Sequence, residues 1–230
     1  MRIDKFLSNN NLGTRSQVKE YLKSGVVTVN GEIVKKADFS INENRDEICF
    51  KGKKIEYKKY IYIILNKPSE IVTATRDKKQ ETVMDLIKPL PAKDLFPVGR
   101  LDKDTTGLLI ITNDGALSHR LLSPKYHVNK TYLVGTLHPL SKSDLEALEA
   151  GVDIGDEEIT LPAKTELIDE KSLLLTIHEG RYHQVKRMLE AVGNEVVTLK
   201  RVSFGDLALP KDLEEGKWRE LTEDELQKII

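Results

Sequence analysis

One cysteine in 230 residues, Cys49, leaves no internal disulfide to form. Such sparing use points to a reducing, cytoplasmic setting, with Cys49 a small buried hydrophobe in the strand-like Glu47-Ile48-Cys49-Phe50. No apolar run approaches the ~20 residues that span a bilayer. The amino-terminal MRIDKFLSNNN has no signal-peptide core, so neither export nor membrane insertion is expected. The five histidines and Cys49 show no metal-ligand spacing, and there is neither a P-loop nor a dinucleotide fingerprint. The chain is therefore expected to work without a metal or a cofactor. Internal repeats and low-complexity segments are missing too.

What is present begins with an uneven distribution of charge. The net charge is -1, but residues 1–60 hold 13 Lys and Arg against 8 Asp and Glu, and the remainder holds 23 against 29. A basic head on an acidic body points to a polyanionic partner for the head. In that head, Ile3, Phe6 and Leu7 share one helical face. Thr14 opens a second helix with Gln17 completing a capping box, and Gly25 sits where a carboxy-terminal cap belongs. Arg15, Lys19 and Lys23 recur every four residues on that helix, a self-repelling stripe that phosphates would neutralise. Asn30-Gly31 between Val26–Val29 and Ile33-Val34 marks a tight hairpin, and a second strand pair through Cys49 and Lys53-Lys54 completes the unit. The boundary falls in the lysine-rich connector at Lys58-Lys59, giving domains 1–59 and 60–230.

The second domain opens with a strand at Tyr60–Leu65 that ends at Asn66-Lys67-Pro68, because proline cannot continue a ladder. Thr82–Ile87 reads as a short helix stopped by Pro89 and Pro91, Asp114–Leu122 as a helix with Leu117 and Leu121 inward, and Lys130–Leu137 as a strand. A Ser143/Glu146 capping box is expected to start a helix that Gly151 ends, and residues 153–170 read as acidic loops and short strands. Trp218 lies in a short strand before a Thr222/Glu225-capped terminal helix.

Two stretches carry the chemistry. The first is Gly99-Arg100-Leu101-Asp102-Lys103-Asp104-Thr105-Thr106-Gly107, a polar turn feeding the apolar run Leu108–Ile111. A carboxylate near a fixed cation stays ionised and can act as nucleophile, base or metal ligand. Asp102-x-Asp104-x-Thr106-Gly107 copies half of a calcium loop, but Asn113 stands where that loop needs its closing Glu. The second stretch follows a strand at Ser172–His178. Val185, Met188, Leu189 and Val192 are spaced as one helical face, so a helix begins near His183. Arg181, His183, Lys186 and Arg187 crowd its start, where cations oppose the macrodipole. An anion, RNA phosphate or a catalytic carboxylate, would offset that cost.

These stretches carry a family resemblance. GRLDKDTTGLLIITNDG is similar to the signature of the pseudouridine synthases that modify ribosomal RNA, in the branch usually called RsuA. RIDKFLSNNNLGTRSQVKEYLKSGVVTVNGEIV resembles the small RNA-binding module named after ribosomal protein S-four. Asn66-Lys67-Pro68, NKTYLV and EGRYHQVKRML resemble the family's other motifs. The resemblance implies an α/β fold of the α+β type, with the S4-like head followed by a catalytic domain around a mixed, largely antiparallel sheet. It implies that Asp102 is the catalytic residue, that Tyr132 packs on the target base and that Ile177 lies under the base pocket. Either Lys186 or its neighbour Arg187 pairs with Asp102. Whether Asp102 attacks the nucleoside or takes a proton from its sugar stays open.

Substrate contacts are expected from Arg100, Arg181 and His183, and from the head's Arg2, Lys5, Arg15, Lys19 and Lys23. The implied reaction is isomerisation of one uridine in small-subunit (16S) rRNA by a monomer, acting on the RNA or on an assembling small ribosomal subunit. The base must leave its stack to be reached. The alternatives are a large-subunit rRNA synthase and a non-catalytic, RNA-binding assembly factor.

Overall fold

The computed structural model describes residues 1–56, 58–89 and 93–230. The chain divides into two compact units, one of residues 1–61 with 88–95, the other of residues 62–87 with 96–230. Nothing in the sequence marked 88–95 as part of the first unit. Lys93 anchors it there, its backbone N–H donating to the Asn9 carbonyl at 3.4 Å and its ammonium to the Ser8 hydroxyl. Pro91, expected to help stop the preceding helix, lies outside the described residues.

In the first unit, helices α1 (Ile3–Asn9) and α2 (Arg15–Lys23) precede strands β1 (Val27–Val29), β2 (Glu32–Ile33), β3 (Ile48–Phe50) and β4 (Lys53–Lys54). The strands form an antiparallel sheet in the order β2-β1-β3-β4. Thr14 and Gln17 cap α2 reciprocally, each side chain accepting from the other's backbone N–H. Asn30 and Gly31 have φ of 52° and 85°, the left-handed pair that a two-residue hairpin turn requires. Ile3, Phe6 and Leu7 meet Val18, Leu22 and Ile48 in one buried core. The opposite face of α2 is left to solvent, and with it Arg15, Lys19 and Lys23.

The second unit is built on a nine-stranded sheet. Its elements are β5 (Tyr62–Lys67), α3 (Val83–Leu86), β6 (Phe96–Pro97), β7 (Thr106–Thr112), α4 (Gly115–Leu122), β8 (Lys130–Thr136), α5 (Lys142–Ala150), β9 (Lys164–Asp169), β10 (Ser172–Ile177), α6 (Gln184–Ala191), β11 (Val196–Phe204), β12 (Leu207–Ala208), β13 (Trp218–Glu220) and α7 (Glu223–Gln227). The strand path is β13-β5-β7-β11-β8-β10-β9, with β6 paired to β7 and β12 to β11. Only the β7–β11 pairing is parallel, so the sheet is mixed and largely antiparallel.

Leu108, Leu109, Ile110 and Ile111 of β7 are all fully buried, which places apolar packing on both faces of that strand. Each such side chain contributes about 1.5–3 kcal/mol. The polar turn before β7 is thereby fixed to the most deeply packed strand of the unit.

Two expectations need correction. Helix α5 is capped by Ser141 with Asp144, not by Ser143 with Glu146. The two patterns overlap, and the earlier one closes because the Asp144 carboxylate accepts from the Ser141 N–H at 2.8 Å while Ser141 Oγ accepts from the Asp144 N–H at 3.2 Å. Strand β11, in the middle of the sheet, was not expected at all. Lys200 and Arg201 interrupt its apolar pattern.

Candidate active site

Asp102 sits at the end of a turn held from below. The Thr105 N–H donates to the Asp102 carbonyl at 3.1 Å, and the Thr73 hydroxyl donates to the Leu101 carbonyl at 2.8 Å. Beneath the turn lies Lys67, a fully buried lysine. Its ammonium donates to the carbonyls of Pro68, Lys103 and Thr105 at 2.9, 3.0 and 2.9 Å. Burial pulls its pKa down to about 8 against the opposing pull of Asp104 and Asp102. Gly107 closes the turn with φ of 99°, and a Cβ there would lie 2.3 Å from the Arg201 carbonyl oxygen. Only glycine lets β7 approach β11 in that register.

The second catalytic stretch meets the first across the sheet. The Lys186 ammonium donates to both oxygens of Asp104 at 2.7 Å and lies 3.8 Å from Asp102 Oδ2, while His183 Nε2 lies 3.6 Å from Asp102 Oδ1. The hydrogen bond from Lys186 holds the Asp104 carboxyl below its usual range. Asp102, Tyr132, Ile177, His183, Lys186 and Arg100 line one cleft. Tyr132 and Ile177 are buried in its wall, and Arg100 is exposed. The Tyr182 ring, largely exposed, stacks on His183 with centroids 3.9 Å apart.

Arg181 lines the same cleft but donates away from Asp102, and Arg187 lies outside it. Arg181 pairs with Glu179 at 2.6 Å and donates to the carbonyls of Glu158 and Ile159. Arg187 binds Asp156 at 2.5 Å, the Tyr182 carbonyl at 3.0 Å and the Ile154 carbonyl. The cations at the start of α6 are thus met by carboxylates of the protein itself. Lys186 faces the Asp102 turn, whereas Arg181 and Arg187 pin residues 154–159.

Sequence reasoning missed Lys67, Lys130, Arg201 and the grip of Lys186 on Asp104. Lys67 and Lys130 stood within the quoted Asn66-Lys67-Pro68 and NKTYLV stretches without a task of their own. In the first unit, the exposed Arg2, Lys5, Arg15 and Lys19 surround one recess, with Arg2 tied to Asp4 at 2.7 Å. Lys23 lies outside it. Among the described residues no cluster of three or more metal-ligating side chains exists, and no helix is long and apolar enough to cross a membrane.

A family model described as RNA pseudouridylate synthase matches residues 61–191, and an S4 domain model matches residues 1–46. The chain is 46% identical over 231 residues to an uncharacterized RNA pseudouridine synthase, YtzG, of Bacillus subtilis, covering 98% of this chain and 97% of that one. It is 43% identical to ribosomal small subunit pseudouridine synthase A of Haemophilus influenzae, with both chains covered in full. A solved structure titled as the crystal structure of pseudouridylate synthase superposes with a TM-score of 0.71 at 42% identity, covering 100% of both chains. The family models over residues 1–46 and 61–191 and the full-length relatives place this chain in the RNA pseudouridylate synthase family.

Proposed function

We propose that the chain isomerises a specific uridine of small-subunit (16S) rRNA to pseudouridine, working as a cytoplasmic monomer with Asp102 as the nucleophile. In such a reaction the N1–C1′ bond breaks, the uracil turns, and a C5–C1′ bond forms. The C5 proton is lost and N1 gains one, so no electrons or other atoms are exchanged. The chemistry therefore calls for a carboxylate, a pocket that holds a free pyrimidine, and control of solvent.

The observation that carries this reading is the convergence of Asp102, Lys186 and Tyr132 on one cleft from a turn, a helix and a strand. Lys186 sets a positive charge 3.8 Å from the Asp102 carboxylate, an electrostatic partner at the reacting centre. Tyr132 offers its ring as a stacking surface for the extruded base, with Ile177 beneath. The names of relatives such as the Haemophilus influenzae enzyme support the small-subunit substrate, and the basic recess of the S4 domain supplies phosphate contacts.

The test is to map pseudouridine on both rRNAs from cells with and without the protein, and to repeat the reaction in vitro with Asp102→Asn. One small-subunit site should depend on the protein, and the variant should lose turnover while binding RNA within a few-fold of the wild type. Undiminished product from the variant would refute the assignment of Asp102. A protein-dependent site in large-subunit rRNA would overturn the substrate.

A further inference from the structure

Lys130 and Arg201 are left without a task by the reaction described above. They are neighbours on paired strands, with Arg201 opposite Tyr132 and Lys130 opposite Phe204. Both lie over the Phe204 ring, the ammonium 5.3 Å and the guanidinium carbon 4.9 Å from its centroid. Lys130 is 7% exposed and Arg201 2%. Buried cations are normally paired with carboxylates, because an unpaired charge out of water is costly.

These two are not so paired. Lys130 donates to the Val128 carbonyl at 3.1 Å, and Arg201 Nε donates to the Leu108 carbonyl at 2.8 Å. Arg201 Nη2 is buried with no acceptor among the described residues. Burial lowers the Lys130 pKa to about 8, and Arg201, itself a cation, adds to the effect. The group that eases the charge on Arg201 is Tyr132. Asp102 lines the same cleft as both side chains.

We propose that Lys130 and Arg201 form a buried anion subsite that takes a phosphodiester of the RNA strand next to the uridine held over Asp102. A full negative charge would balance two positive charges over one ring, and in RNA only the phosphodiester carries one. A nucleotide drawn out of its stack brings its own phosphates into the cleft. The orphan Nη2 donor and the unused ammonium protons then each gain a charge-assisted hydrogen bond. The subsite rests on the reading of the cleft as an RNA-modifying site, and its test is chosen to fail separately from that reading.

The experiment uses the full chain with two probes. The first is a short rRNA fragment bearing a neutral methylphosphonate at either phosphate flanking the target uridine, and the second is inorganic phosphate measured by calorimetry. Arg201 also braces Leu108, so the variant is Lys130→Met, with its fold checked by thermal melting. One of the two neutral linkages should weaken binding to the wild type about tenfold and weaken Lys130→Met no further. Inorganic phosphate should bind the wild type and not the variant.

Equal binding of modified and unmodified RNA by the wild type overturns the subsite. So does an equal loss in wild type and variant. Phosphate binding without any effect of either neutral linkage makes the pair a site for free phosphate and overturns the RNA assignment. A chain that modifies no uridine yet binds phosphate through Lys130 supports the anion subsite and overturns only the isomerase reading.

Discussion

Lys186 holds both carboxylate oxygens of Asp104 at 2.7 Å while standing 3.8 Å from Asp102. One ammonium thus serves two carboxylates two residues apart, and it favours Asp104, the one outside the cleft that Tyr132 lines. Asp104 is 60% exposed at its side chain and Asp102 32%, so the outer carboxylate acts as a latch on the lysine. Removing the latch should release Lys186 to Asp102. In Asp104→Asn the Lys186–Asp102 separation should close to hydrogen-bond range in a crystal structure, with kcat changed by less than about tenfold. A variant as dead as Asp102→Asn would show that Asp104 itself takes part in the chemistry. The depressed pKa of Asp104 has a sign: the contact is complete above the ordinary carboxylate range and weakens as pH falls through the lowered value. The latch should therefore survive mild acid.

Lys186 and Arg187 are adjacent in sequence and separated in role. Lys186→Met should lower kcat at least about 100-fold, the scale of losing one electrostatic partner at a reacting centre. Arg187→Met should leave kcat within a few-fold and cost about 1–2 kcal/mol of stability, because Asp156 and the carbonyls of Ile154 and Tyr182 lose their donor. Steady-state kinetics beside urea denaturation separates the two, and the reverse pattern would exchange their roles.

Lys67→Met removes a donor from three carbonyls at once and should cost about 1–3 kcal/mol, with slack in the Asp102 turn appearing as a lower kcat. The pH dependence runs opposite to that of an ordinary ion pair. Burial lowers the Lys67 pKa to about 8 in the folded protein from an ordinary value of 10.5. Between those two values the unfolded chain binds the extra proton, so stability rises with pH across that window. Denaturation at pH 7.5 and pH 10 should show the wild type gaining on Lys67→Met at the higher pH. A constant difference would mean that Lys67 is not desolvated.

Gly107→Ala should cost about 3 kcal/mol or more, because its Cβ would stand 2.3 Å from the Arg201 carbonyl at a φ of 99°. The expected readout is a large drop in melting temperature or loss of soluble protein. Gly115→Ala is the control, since nothing lies within 4 Å of a Cβ there and the residue begins α4. It should melt within a few degrees of the wild type.

Periodicity and capping made most of the elements legible before any coordinates. The Thr14/Gln17 box, the Asn30-Gly31 turn and the apolar Leu108–Ile111 run each have one local physical reading, and each forms where expected. The meeting of the two stretches followed from the second, whose cations at the start of α6 oppose the macrodipole and call for an anion. The rest depended on contacts between residues far apart in sequence. The charges of Arg181 and Arg187 are answered by Glu179 and Asp156, and the acidic loop around Asp156 gave no local sign of that task. Strand β11 hid behind Lys200 and Arg201, since a buried guanidinium looks like solvent exposure in a sequence. Adjacent residues on a helix point about 100° apart, so choosing between Lys186 and Arg187 needed the sheet beneath them.

The return of residues 88–95 to the first unit bears on how the protein comes apart. A protease that nicks the chain between 61 and 62 liberates nothing, because the severed front piece still lacks the stretch that Ser8 and Asn9 hold through Lys93. Two further cuts, one on each side of that stretch, are needed before the piece is whole. A fragment ended at residue 59 is a head with part of its own fabric missing.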